Sequence, residues 1–181
     1  AYFLRFCPRR RVLAAVLREG GAEPRSWTSW NNTLWVHHLD TGRTRTAPLG
    51  QGLVFRFALT ATGITTARVH PDGDQLAVHR FGPLDGAAPV LRGIWELPSM
   101  DGAPRPGHEP WDNAERRAIA ASPTSELVAV TRGGHGEVHV VDTSEPGGLL
   151  QTITLDTPLP DGGHLAWISS GDSSPGDTVG R

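Results

Sequence analysis

The stretch ELVAVTRGGHGEVHVVDTSEPGGLLQTITL, residues 126–155, decides the fold class. Two β-prone runs, 127–131 and 137–142, flank a turn carrying Gly133, Gly134 and Gly136. A third run, 149–155, follows Pro146, Gly147 and Gly148, and a fourth, 117–121, precedes them. Short β-prone runs separated by Gly and Pro turns read as an antiparallel meander of four strands. Side chains two apart share one face of a strand. Val138 and Val140 therefore face one way, with His139 and Val141 facing the other. By the same spacing Val128, Val130, Val138 and Val140 are expected in a buried sheet.

Working outward, the pattern repeats. FCPRRRVLAAV (6–16), VHPDGDQLAV (69–78) and ASPTSELVAV (121–130) each pass through a proline and a polar turn into a Leu/Ala/Val strand. A second element follows each: VHHLD (36–40), GIWEL (93–97) and VHVVD (138–142), carrying the acids Asp40, Glu96 and Asp142. Proline sets φ for a turn and cannot donate to a ladder, so it belongs between strands. Pro71 lies 63 positions after Pro8, and Pro123 lies 52 after Pro71. Propeller repeats run about 40–50 residues, so the excess is assigned to loops. Two insertions, 19–33 and 80–89, are placed between the second and third strands of their units. Residues 48–63 are placed in the connection between units. Helical propensity over 11–19 and 111–121 is overruled by the repeat.

These features resemble the WD40 superfamily. HPDG (70–73) and SPTS (122–125) stand where that family has its SPDG-like turn. Trp95-Glu96, Val141-Asp142 and Leu39-Asp40 stand at its Trp-Asp position, and 126–155 is also similar to the YVTN-type propeller repeat. Gly107-His108 is similar to the family's Gly-His element. The partner Asp is missing from 133–136, and the literal Trp111-Asp112 lies before a first strand. The resemblance implies an all-β fold of four-stranded antiparallel blades. It places blade 1 at about 1–50, blade 2 at about 51–107, blade 3 at about 108–155 and the start of a fourth at about 156–181. Residues 164–172 would be that blade's first strand, with an alternative alignment of PDGGHLA (160–166) on PDGDQLA (71–77). Closed propellers have about 4–8 blades, so the chain reads as part of a longer protein.

Composition narrows the function. The 181 residues carry 22 Gly and 15 Pro with a net charge of -2. That balance lacks the basic excess of a nucleic-acid surface. The densest basic run is Arg9, Arg10 and Arg11, with Arg5 nearby. One cysteine, Cys7, excludes an internal disulfide and points to a cytoplasmic setting. The apolar opening is too short to span a membrane.

No catalytic, cofactor or metal site assembles from the sequence. GDSSPG (171–176) resembles the nucleophile loop of trypsin-like proteases, yet no base motif accompanies Ser173 or Ser174. His37 and His38 are adjacent and point to opposite faces of a strand, and His135 and His139 are too far apart for a ready zinc clamp. The candidate partner-binding residues are Trp27, Trp30, Phe81 and Leu84, in the two insertions. If equivalent loops emerge on one face, they form a common aromatic rim. The expected function is a non-catalytic protein-interaction or scaffold module. Its partner would be another protein or another domain of the same longer chain. The alternative is the propeller portion of an enzyme, either lactonase-like or accompanying a serine peptidase domain.

Overall fold

A computed structural model describes residues 2–20, 23–70, 73–81, 87–100, 116–144, 148–159 and 163–168. Twelve strands among them form three four-stranded antiparallel sheets, each a meander in chain order. The first holds β1 (Tyr2–Cys7), β2 (Val12–Glu19), β3 (Asn31–His38) and β4 (Arg43–Gln51). The second holds β5 (Leu53–Leu59), β6 (Gly63–His70), β7 (Gly73–Arg80) and β8 (Val90–Glu96). The third holds β9 (Ile119–Ala121), β10 (Leu127–Arg132), β11 (Glu137–Asp142) and β12 (Leu149–Thr154). β5 lies beside both β1 and β9. The first strand of each sheet is therefore innermost and the fourth outermost.

Local sequence explains most of this. β3 alternates without a break, burying Asn32, Leu34, Val36 and His38, the period-two pattern of a half-buried strand. β2 is a strand despite the helical propensity of 11–19, because its neighbours pair it on both sides. Pro48 sits in β4, an outer strand, where a missing N–H donor is tolerated. The strands of the third sheet lie where the glycine turns put them. Gly136, at φ 62, closes the β10–β11 turn in the left-handed region.

The second sheet differs from the expected reading. The run 53–59 is its innermost strand, not part of a connection. Every later element moves by one place. HPDG joins the second strand to the third, GIWEL runs from the fourth strand onward, and 80–89 joins the third strand to the fourth. The unmarked turn at 60–62 hid the extra strand. It is held by Thr60, whose hydroxyl accepts the Gly63 N–H at 2.9 Å, with neither Gly nor Pro inside it.

Sheets pack face to face in two seams. Between the first and second, Val16, Leu34, Val36 and Leu49 meet Phe57 and Ile64. Between the second and third, Leu76, Val78 and Trp95 meet Val130 and Val141. The second sheet thus uses both faces: Leu76 and Val78 point one way, while Ile64 and its cross-strand partner His79 point the other. In the third sheet Val128, Val130, His139 and Val141 share the face toward the second sheet, by direct pairing of β10 with β11. Val138 and Val140 lie on the opposite face. Val138 is buried there, but Val140 is only half-buried, which corrects its assignment to a buried position. Residues 163–168 form no regular element and pair with no strand among the described residues.

Candidate interaction surfaces

Trp27 and Trp30 lie in the loop between β2 and β3, Trp27 within the short 3₁₀ segment Pro24–Ser29 and Trp30 just after it. Both are 1% exposed. They pack with Leu53 and Met100, from the start of β5 and the chain beyond β8. The Arg18 guanidinium lies 3.8 Å over the Trp30 ring, a cation–π contact that further covers it. The Asn32 amide anchors the same corner, donating to the carbonyls of Trp30, Gly50 and Gly52 at 3.3, 3.3 and 2.7 Å. The two tryptophans are therefore core, not exposed anchors. Their rings fill a gap between blades that Ser and Thr neighbours cannot fill.

Phe81 is on the other side of the array. It follows β7 directly and packs on the first seam beside Cys7 and Leu59. The Arg10 guanidinium, in the β1–β2 turn, sits 4.9 Å from its ring. Loops joining second to third strands leave one end of the sheets, and loops joining third to fourth leave the other. The expected common rim of Trp27, Trp30 and Phe81 therefore does not form. Leu84 lies outside the described residues, as do Ser173, Ser174, His108 and Trp111-Asp112.

Two histidines are built into cross-strand packing. His37 stacks on Trp35 at 5.7 Å between ring centroids and bonds the Thr44 hydroxyl through Nδ1 at 2.9 Å. His139 repeats that cross-strand arrangement with Thr152 at 3.1 Å. Among the described residues no three His, Cys, Asp or Glu side chains come together as a metal site.

His139 is buried, and its imidazole is held below the usual pKa of 6.5. Burial is the main cause, Glu137 opposes it, and Arg117 and Arg132 add to it. The unfolded chain then takes up a proton that the fold resists. His139 contributes stability that is full above the unfolded pKa and is lost on acidification through the lower folded value. Denaturant unfolding at about pH 7.5 and about pH 5.5 reads this out, since both straddle the free imidazole pKa. His139→Asn should narrow the stability difference between the two conditions. An unchanged difference would assign the slope to other groups.

Two polar clasps close the second seam, one near each end. At one end Arg117, with a side chain 0% exposed, donates to the Asp74 carboxylate, 4% exposed, at 2.6 and 3.1 Å. Arg117 also donates to the Thr131 carbonyl at 2.9 Å and to that of Pro98. At the other end Glu126 accepts from the hydroxyls of Thr60 and Thr62 at 3.2 and 2.9 Å, with the Arg80 guanidinium at 3.4 Å. The side chains that meet in each clasp are more than forty positions apart in the chain, and no local signal marks them.

No protein-family model and no curated protein sequence matches the chain. Solved structures do. The Cps50 (Swd1) β-propeller domain of Myceliophteria thermophila matches 91% of the chain at TM-score 0.55 and 12% identity. A chain of Kuenenia stuttgartiensis hydrazine synthase matches 88% at TM-score 0.55 and 12% identity. The chain folds as three blades of a β-propeller. It spans 43% and 53% of the length of those two chains, and at this identity the likeness concerns the fold.

On the propeller's outer wall one strand stands out. β8 is the outermost strand of the second blade, and Val90, Leu91 and Ile94 on it are 65%, 50% and 44% exposed. Trp95 between them and Glu96 is buried in the second seam. Gly93 lets the Trp95 ring lie over the strand, since a Cβ there would meet the ring at 2.9 Å. β8 pairs with β7 alone among the described residues. GIWEL marks a β-prone run and an acid, and nothing in it distinguishes an outer strand from an inner one.

Proposed function

We propose that the chain is a non-catalytic interaction module, a rigid array of propeller blades that binds an extended segment of a partner along β8. The exposed side chains of Val90, Leu91 and Ile94 on an outer strand carry this reading. An edge strand offers unpaired N–H and C=O groups, and a partner strand satisfies them while its side chains use the apolar surface. Arg92 and Glu96 flank the apolar positions, both exposed, and give the contact polarity of both signs. The partner is another protein or another part of the same longer chain. A net charge of -2 suits it better than a nucleic acid would. The single cysteine fits a reducing compartment such as the cytoplasm.

The likeness to a hydrazine synthase chain favours a second reading, in which these blades carry a reactive domain supplied elsewhere. The segment on β8 would then belong to that domain. Among the described residues no helix is long and apolar enough to cross a membrane.

A photo-crosslinking residue at Leu91 tests the proposal in extracts of the source cell. The expected result is one discrete adduct that is lost when Val90→Glu and Ile94→Arg are added. An adduct indifferent to those changes would remove β8 as the contact. Turnover of esters, lactones or peptides by the purified chain would overturn the non-catalytic reading.

A further inference from the structure

The first strand of each blade lines the inner side of the propeller, and each of the three brings an arginine there. Arg5 is on β1, Arg56 is on β5, and Arg116 lies just ahead of β9. β5 lies between β1 and β9, so Arg56 is the middle one. Arg5 shares the face of its cross-strand partner Ala14, which is buried in the first seam. The register of β5 shifts between Val54 and Arg56. Val54 packs in the first seam, whereas Arg56 takes the face of Ala67 and Leu76, on the side of the second. In a regular strand the two would share a face, so this bulge re-aims the arginine, a use to which bulges beside functional sites are put. Arg116 adjoins Arg117, which Asp74 holds in the second seam. Arg5 is exposed, and Arg56 and Arg116 are half-buried, so all three sit at the inner margin of the seams rather than within them.

Burial holds the Arg56 guanidinium below its usual pKa, and the charges of Arg116 and then of Arg5 push it further down. Both neighbours therefore act on Arg56 across the inner side of the blades. Like charges gathered from three separate strand ends disfavour one another, and an anion among them reverses the sign of that interaction. The chain as a whole carries a net charge of -2, which suits a small anion held at one point better than a long polyanion. A carboxylate is satisfied by a single guanidinium fork. A phosphate group carries about two negative charges and three terminal oxygens, which guanidiniums approaching from different strands can share.

We infer that Arg5, Arg56 and Arg116 form a binding site for a phosphate group on the inner side of the propeller, each blade supplying one guanidinium. Arg56 is the central contact, with Arg5 and Arg116 closing on the group from either side. The site draws on these three inner strands alone, whatever blades lie beyond them. β8 is on the outer wall, so this inference and the partner contact on β8 stand or fall separately.

Calorimetric titration of the purified protein with inorganic phosphate, at an ionic strength held constant with chloride, tests it. The expected result is saturable binding, at least about tenfold tighter than that of acetate. A phosphate monoester titrated alongside tells a free phosphate from one carried on a larger ligand, by which of the two binds tighter. Arg56→Gln should weaken phosphate binding at least about tenfold, and Arg5→Gln and Arg116→Gln should each weaken it too. Arg56→Lys should recover only part of the loss, since it restores the charge but not the fork. Arg43→Gln, on the outermost strand of the first blade, should bind as the parent does. Arg5 is exposed, so its variant keeps the fold and reads the site whatever Arg56→Gln does to stability. An absence of saturable binding, acetate bound as tightly as phosphate, or Arg5→Gln and Arg56→Gln variants that bind like the parent would each overturn the inference. So would an equal loss in Arg43→Gln.

Discussion

Asp74→Ala lowers the unfolding free energy by about 3–5 kcal/mol, the cost of leaving one member of a buried ion pair without its partner. Arg117 is fully enclosed, so water cannot replace the lost carboxylate. At about 2–4 °C per kcal/mol for a chain of this size, the melting temperature should fall by roughly 10 °C. The backbone carbonyls of Pro98 and Thr131 soften the loss by keeping two of the guanidinium's contacts. Replacing both partners by apolar groups, Asp74→Leu with Arg117→Met, should recover much of it, because no charge then remains buried. Thermal unfolding of the three variants is the check. An Asp74→Ala protein as stable as the parent would mean that the second and third blades do not meet there.

Trp30→Ala, and Trp27→Ala with it, should each cost about 3–5 kcal/mol, the usual range for truncating a buried aromatic ring. The cavity opens between Leu53 and Met100, at a corner where the connection from β4 to β5 already depends on the Asn32 amide. Arg18 would lose the ring it covers. The double variant should unfold at ordinary temperature rather than keep its fold and lose a partner. A folded double variant with a parent-like transition would return the tryptophans to the surface and restore them as binding residues.

The third blade was legible because its signals are local. Gly133, Gly134 and Gly136 mark one turn, Gly147 and Gly148 the next, and the strands between them alternate. The second blade was not, because turn chemistry says that the chain reverses without saying which strands it joins. HPDG serves between second and third strands there, while SPTS serves between first and second strands in the third blade. In SPTS the Ser122 hydroxyl accepts the N–H groups of Thr124 and Ser125 at 3.3 and 3.1 Å.

The tryptophans misled for a related reason. Ser26, Ser29 and Asn32 around them suggest an exposed loop, yet these groups satisfy the local backbone. The Ser29 hydroxyl donates to the Ser26 carbonyl at 2.8 Å. The apolar partners Leu53 and Met100 lie far along the chain, as do the partners in both polar clasps. Pairing across blades is set by how the sheets stack, and no window of sequence contains it. The apolar outer strand escaped for the opposite reason: an exposed Val, Leu or Ile looks the same in sequence as a buried one.

The stacking of three blades in chain order, with both faces of the second blade in use, is most directly tested by methyl NOE spectroscopy on the isotopically labelled chain. Leu76 and Val78 should show cross-peaks to Val130 and Val141, and Ile64 should show them to Val36 and Leu49. Cross-peaks from Leu76 and Val78 to the first blade, or from Ile64 to the third, would contradict the account.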